Sequence, residues 1–225
     1  MTDSRHATRN ARSIAGEKES LEVLIHGIFA ITLTLLVLEL HAPAQDEGGL
    51  LWQHLQELAP QGAAYVFGFV YLMSAWISIR DLLRQLSGVT IQVTVLLLAA
   101  IGLVSLAPFT VSTLAESVGN SHDLGVAVRL MAVVMATGYL TSVVATRVAL
   151  RQGLLPQLPY YEMRWPLMIT TSIGPCTLAF LASYLSPWLG VGLLSTDILF
   201  AVVTAASFAL ARARIAVRVA PGSTI

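Results

Sequence analysis

Residues 24–40 read LIHGIFAITLTLLVLEL, and this stretch decides the class of the protein. The run is long enough to cross a bilayer and contains neither lysine nor arginine. A helix that only anchors a chain in lipid needs apolar side chains, whereas this one also carries His26, Gly27, Thr32 and Thr34. Polar groups at membrane depth usually face protein or water. We therefore predict that one face of this helix meets something other than lipid tails.

The composition as a whole indicates a membrane protein. Of the 225 residues, 56% are hydrophobic and only 12% are charged, whereas soluble domains carry about 25% charged residues. No basic run suggests a nucleic-acid partner, so the expected partners are membrane lipids and further copies of the chain. The single cysteine, Cys176, excludes a disulfide within the chain and argues against a metal cluster. Because no H-E-x-x-H, G-x-S-x-G or phosphate-binding loop occurs, we expect neither an enzyme nor a cofactor.

Six apolar segments predict an all-α, polytopic membrane protein with six spanning helices. Each segment reaches the length of about 20 residues that a spanning helix needs. Pro108 and Pro175 lie inside two of the segments and predict kinks there. No internal repeat is visible, so the pattern gives no support to an inverted-repeat transporter. The segments cover approximately 22–41, 58–80, 90–115, 124–148, 165–186 and 191–212.

The positive charges predict the orientation of these helices. The chain has thirteen lysines and arginines, and all but Arg129 lie before the first segment or after the second, fourth and sixth. The positive-inside rule therefore places both termini in the cytoplasm, which requires an even number of spans. We expect a multi-pass protein of the cell membrane. Its parts are a mobile cytoplasmic tail at residues 1–19, a six-helix domain at 20–214 and a second cytoplasmic tail at 215–225.

One stripe of the first helix has the spacing of a surface that meets another element. Gly27, Ile31, Thr34, Leu35 and Leu38 recur at intervals that place them on one side of an α-helix. Several copies of the chain around an axis would turn this stripe into a pore of apolar rings with one ring of hydroxyls, and such rings gate by expelling water. The alternative is a tight helix contact whose threonines bond back to backbone carbonyls. Spacing alone favours the helix contact.

A resemblance to a known family favours the pore. The first helix resembles the signature helix of the transmembrane protein 175 family of potassium channels, which typically reads F-S-D-G-V-F-A-I-A-x-T-L-L-V-L-E-I. A second, weaker resemblance lies in the P-F-x-x-x-L-x-E-like stretch late in the third helix, carried here by Pro108, Phe109, Leu114 and Glu116. The first-helix matches are Gly27, Ile28, Phe29, Ala30, Ile31, Thr34, Leu35, Leu36, Val37, Leu38, Glu39 and Leu40.

The resemblance implies a homotetrameric potassium channel whose first helix lines the pore. It implies an apolar constriction and gate at Ile31, with Leu35 and Leu38 as further apolar pore residues. It also implies a selectivity position at Thr34, near which the permeant potassium ion would pass. The family has no filter loop of backbone carbonyls, and no T-V-G-Y-G motif occurs in this chain.

The sequence departs from the family pattern at two places. The family normally has an arginine, three further residues and then Phe-Ser-Asp before the signature helix, and a pair of histidines late in the second helix. Both changes concern polar contacts around the pore helix rather than the pore stripe. The residues found here are Ser20, Leu24, Ile25 and His26 in the first case, and Ile79 and Arg80 in the second.

Other polar residues leave a second function open. His26 near the cytoplasmic entry and Glu39 at the outer end of the first helix are candidate modulators of conduction. Asp197 is the only carboxylate well within the sixth segment, and Arg129 is its expected ion-pair partner. Histidine and carboxylates along a membrane path are also typical of a proton-conducting or proton-coupled carrier, which is the main alternative. A non-conducting scaffold is the third interpretation.

One further contact is expected at the inner end of the second helix. Trp76 and Arg80 stand one helical turn apart. A guanidinium above an indole face gains from a cation–π interaction, so we expect this pair to fix the end of the helix.

Overall fold

The computed structural model describes residues 2–40, 58–155, 173–196 and 199, with side-chain surroundings from Gly16 onward. Every regular element in these ranges is helical, which confirms the all-α class for the described part of the chain. Residues 187–196 form a further helical run. The helices are α1 (Thr2–Leu38), α2 (Ala59–Gln85), α3 (Ile91–Val104), α4 (Ala107–Glu116), α5 (Ser121–Arg151) and α6 (Gly174–Ala182).

Four stretches of helix are long and apolar enough to cross a membrane. They correspond to the first four predicted segments, so the multi-span prediction is confirmed to that extent. The fifth and sixth predicted segments lie partly outside the described residues, and the total of six spans stays a prediction. The four stretches are Gly16–Leu38, Ala59–Gln85, Ile91–Glu116 and Ser121–Arg151.

The first helix begins earlier than the apolar pattern indicates. The assignment of residues 1–19 as a mobile cytoplasmic tail stays a prediction, and α1 runs without interruption from Thr2 to Leu38. The polar residues before Leu21 therefore continue the helix rather than end it. Helical backbone bonds do not require apolar side chains, and this is why the apolar segment marks the membrane-spanning part but not the start of the helix.

The third span is interrupted in its middle. α3 ends at Val104 and α4 begins at Ala107, with Pro108 in the first turn of α4. Proline has no N–H to donate to the preceding turn, so a break at this place agrees with the kink predicted from the sequence. The Ser105 hydroxyl donates to the Gly102 carbonyl at 2.7 Å, which satisfies a backbone oxygen near the break. Such compensation is needed because a membrane offers no water.

The long helix α5 is the centre of the described fold. It packs against α2, α3, α4 and α6. A buried polar contact links it to α2: the Ser74 hydroxyl donates to the Tyr71 carbonyl at 2.8 Å and lies 3.3 Å from the Tyr139 hydroxyl. Because the serine proton is used, Tyr139 donates in this pair. The rings of Tyr71 and Tyr139 also meet edge to face, with centroids 5.9 Å apart.

Contacts between helix ends gather the basic residues at one end of the bundle. The Lys18 ammonium donates to the Leu86 carbonyl at 2.8 Å, which joins α1 to the end of α2. The Thr90 hydroxyl donates to the Gln152 side chain at 2.7 Å, which joins the start of α3 to the end of α5. Arg84 and Arg151 lie in the last turns of α2 and α5 and therefore share this end. The charge asymmetry seen in the sequence is thus a property of the fold, and we call this the basic end.

Candidate functional site

One face of α1 fixes the helix against its own subunit. α1 packs against α2, α3 and α4. Phe29 is only 3% exposed and Leu36 is fully buried. With about 100° of rotation per residue, the buried side chains fall within one arc of the helix. The buried residues of this packing face are Leu21, Ile25, Phe29, Thr32 and Leu36.

The opposite face of α1 carries the stripe that the sequence singled out. Exposed fractions are 61% for Ile31, 45% for Leu35 and 70% for Leu38, and Gly27 and Thr34 are exposed as well. The five positions span about 100° of the helix surface, centred well away from the packing face. We call this the stripe face. The described part of its own subunit leaves it uncovered.

α1 is also the least buried of the four spans. Of its most apolar window, 28% of residues are buried, against 39% in α2, 44% in α3–α4 and 50% in α5. A helix with so much free apolar surface lies at the edge of the described bundle. That surface is available to lipid or to another copy of the chain.

The two threonines of α1 have opposite environments. Thr32 lies on the packing face, is 2% exposed and donates to the Ile28 carbonyl at 2.8 Å. Thr34 lies on the stripe face and donates to the Ile31 carbonyl at 2.7 Å. The expected bonds back to the helix are therefore present in both. In Thr34 this bond uses the only hydroxyl proton, so the exposed oxygen offers only lone pairs outward.

The stripe face orders its side chains along the helix axis. At a rise of 1.5 Å per residue, Thr34 stands about 4.5 Å beyond Ile31, and Leu38 about 10.5 Å beyond it. The oxygen of Thr34 therefore lies between apolar side chains on both sides. An exposed oxygen acceptor flanked by aliphatic groups can coordinate a cation that has lost part of its water, while the aliphatic groups repel water.

His26 lies beside a cluster that the sequence only partly revealed. The expected stacking of Arg80 on Trp76 is confirmed, with the guanidinium carbon 4.6 Å from the ring centroid. The His26 ring lies 6.1 Å from the same indole, centroid to centroid. Glu22 of α1 borders the same cavity. No pattern in the sequence indicates this meeting, because α1 and α2 contribute residues that are far apart in the chain.

Of the other two candidate modulators, only Glu39 lies among the described residues. Glu39 follows the last turn of α1, is half-buried and interacts within the chain. Asp197 falls outside the described residues, and so does its expected pairing with Arg129. Within the described part, the Arg129 guanidinium carbon stands 4.3 Å from the centroid of the Tyr184 ring.

Comparison with known proteins finds a similarity to one family of channels. Residues 20–108 match the model of the family described as endosomal/lysosomal potassium channel TMEM175. A potassium channel of Streptomyces collinus is 29% identical over 119 residues, which are 53% of this chain and 58% of the relative. A potassium channel of a Chryseobacterium species is 31% identical over 105 residues, which are 47% of this chain and 50% of the relative. The matches thus span about half the length of these relatives.

A solved structure shares the fold. The crystal structure of a lysosomal potassium-selective channel TMEM175 homolog from Chamaesiphon minutus superposes with a TM-score of 0.75 at 21% identity. The match covers 84% of this chain and 98% of that one. The residues 20–108 that match the family model include most of the spanning part of α1, all of α2 and α3, and the start of α4. The resemblance recognised in the first helix is therefore confirmed, and residues 20–108 of this chain are similar to the transmembrane protein 175 family of potassium channels.

Proposed function

We propose that the protein is a potassium channel in which the first helices of four identical subunits surround a shared pore. The observation that carries the proposal is the stripe face of α1, which is apolar, bears one hydroxyl and is left uncovered by the described residues of its subunit. The similarity of residues 20–108 to a potassium channel family supports the same assignment. One subunit cannot enclose a pore with one such stripe, so the pore requires several copies around an axis.

Ile31 forms the narrowest point and the gate in this proposal. Four isoleucine side chains around an axis make an apolar ring, and water leaves a narrow apolar ring because it cannot form hydrogen bonds there. Leu35 and Leu38 extend the apolar lining beyond it. Ile31 is 61% exposed in the single subunit, so its side chain is free to reach an axis.

Thr34 supplies the preference for potassium. Its proton is held by the Ile31 carbonyl at 2.7 Å, so its oxygen presents lone pairs to the pore. A ring of neutral oxygens replaces part of the hydration shell of a weakly hydrated cation without trapping it, and potassium sheds water more readily than sodium. No loop of backbone carbonyls is required.

The proposal is tested by potassium flux into liposomes that contain the purified full chain. Ile31→Asn should raise the flux, because a polar ring holds water in the constriction. Val133→Asn is the matched control: Val133 is an aliphatic residue of α5, 50% exposed, outside the stripe face. It carries the same polar change at another place and should leave the flux unaltered. Equal flux in the wild type and in Ile31→Asn would contradict the assignment of Ile31.

The same liposomes separate the alternatives. Six spans, both termini in the cytoplasm and a place in the cell membrane belong to this proposal, with His26, Glu39 and Asp197 as modulators of conduction. A flux driven by a pH gradient without potassium current would instead favour a proton-conducting or proton-coupled carrier that uses these three residues. Liposomes that conduct neither ion would favour a scaffold in which the stripe face is only a seam between subunits.

A further inference from the structure

A cavity of about 320 Å³ opens between α1 and α2 at the basic end of the bundle. One side is formed by α1 and the other by the last turns of α2. Its lining combines an indole, an aliphatic side chain and charged groups of both signs. The lining residues are Glu22, His26, Trp76, Arg80, Leu83 and Arg84.

The charges around the cavity favour an anion. Arg80 and Arg84 stand one helical turn apart and both line it, against the single carboxylate of Glu22. That carboxylate lies 3.8 Å from the ammonium of Lys18, which offsets its charge. The Asp81 carboxylate, 3.6 Å from the Arg80 guanidinium, does not line the cavity. The lining therefore keeps an excess of positive charge.

Arg80 also carries an unmet hydrogen-bond donor. Its Nε atom is buried and has no hydrogen-bond partner among the described residues. A buried N–H without an acceptor costs free energy, so such groups are usually satisfied by protein, water or ligand. Stacking on Trp76 holds the guanidinium in place, because its central carbon lies 4.6 Å from the ring centroid. The stacking thus fixes the Arg80 side chain at the wall of the cavity.

We propose that this cavity binds a phosphate group, and that its source is the headgroup of an anionic membrane lipid. Guanidinium groups match phosphate oxygens in geometry and charge. The cavity lies at the end of the spanning helices that the charge pattern places in the cytoplasm. Anionic lipids are concentrated in that leaflet, and basic pockets between spanning helices bind their headgroups. The half-buried indole of Trp76 suits the apolar start of the acyl chains.

A bound phosphate would join α1 to α2. His26 of α1 faces Trp76 of α2, with ring centroids 6.1 Å apart, and Arg80 stacks on the same indole. The ligand would thus contact the helix that bears the stripe face and the helix that supports it. The binding itself does not require ion conduction, so its test is independent of the proposed channel activity.

Binding is measured by titration calorimetry on the purified full chain in an uncharged detergent. The three probes are dioctanoyl phosphatidylglycerol, dioctanoyl phosphatidylcholine and inorganic phosphate. Arg84→Gln is the main variant because Arg84 is exposed and its loss should not disturb packing. Arg151→Gln is the matched control, since Arg151 is an exposed arginine at the same end of the bundle but outside the cavity.

We expect phosphatidylglycerol to bind, Arg84→Gln to weaken the binding at least tenfold and Arg151→Gln to change it less than twofold. Glu22→Gln should strengthen it several-fold, because it removes the only carboxylate of the lining. Binding of phosphatidylglycerol alone would identify the lipid headgroup, and equal binding of inorganic phosphate would show that the phosphate suffices; both support the site. Phosphatidylglycerol that binds no better than phosphatidylcholine would overturn it, as would equal losses in Arg84→Gln and Arg151→Gln.

Discussion

Thr32 and Thr34 allow the pore and the packing of α1 to be tested separately. The two threonines are two residues apart on one helix and face opposite directions. Thr32 is 2% exposed, whereas Thr34 lies on the exposed stripe face. Valine has nearly the shape of threonine and lacks the oxygen. The variants Thr34→Val and Thr32→Val therefore remove the same group from two different surfaces.

The expected magnitudes differ in kind. Thr34→Val should change the free energy of unfolding by less than about 0.5 kcal/mol, as is usual for exposed positions. Thr32→Val removes a buried bond to the Ile28 carbonyl, 2.8 Å long, and should cost about 0.5–1.5 kcal/mol. For the preference between potassium and sodium the order is the opposite, and Thr34→Val should have the larger effect. A tenfold loss of preference for potassium over sodium corresponds to about 1.4 kcal/mol, or roughly 0.35 kcal/mol for each hydroxyl of a four-membered ring.

The assay is the reversal potential in planar bilayers with potassium on one side and sodium on the other. Each tenfold change in the permeability ratio moves this potential by about 59 mV. Thr34→Val should move it toward zero, and Thr32→Val should leave it near the wild-type value while lowering the unfolding temperature. An unaltered reversal potential in Thr34→Val would remove Thr34 from the selectivity ring. Equal shifts in both variants would show that the change acts through the helix as a whole.

Three further outcomes are expected. Gly68→Ala should destabilise the fold by about 1–3 kcal/mol through overpacking, because an added Cβ would lie 2.6 Å from a Val111 methyl group. Thermal unfolding measures this loss. The control is Gly102→Ala, whose added Cβ meets nothing within 4 Å and should be neutral or mildly stabilising. Tyr139→Phe should cost about 0.5–1.5 kcal/mol of stability, since it removes the donor to a buried serine, and an unchanged unfolding temperature would argue against that bond. In a variant without the native cysteine, Arg151→Cys in inside-out vesicles should react with a membrane-impermeant thiol reagent while His122→Cys does not; the reverse pattern would refute the predicted orientation.

Periodicity and charge made much of this fold predictable. A membrane-spanning segment must satisfy its backbone hydrogen bonds internally, which a helix does, so a long apolar segment in the sequence predicts a spanning helix. The stripe of α1 could also be predicted, because Ile31 and Leu38 recur at helical intervals. Both side chains remain uncovered by the described residues of the subunit. The break near Pro108 followed from the missing N–H of proline.

The remaining features depend on contacts between distant parts of the chain. Nothing in the sequence around Gly68 tells that Leu36 and Val111 approach it, since that closeness arises when α1 and α4 pack on α2. Likewise, the contact between Trp76 and Arg80 could be predicted from their spacing in the chain. The contact of His26 of α1 with the same indole could not be predicted. The start of α1 before Leu21 could not be located from the sequence, because apolar length marks the part of a helix that crosses a membrane and not the residue at which the helix begins.

The asymmetric burial of α1 has a mechanical consequence. Phe29 and Leu36 set the angle of the helix about its long axis, because they are held by the subunit while the other side is free. A twist of about 100°, one residue step, would bring Thr32 to the place of Ile31 only by drawing Phe29 and Leu36 out of the subunit. The buried edge of the helix therefore sets the direction in which each side chain of the free edge stands.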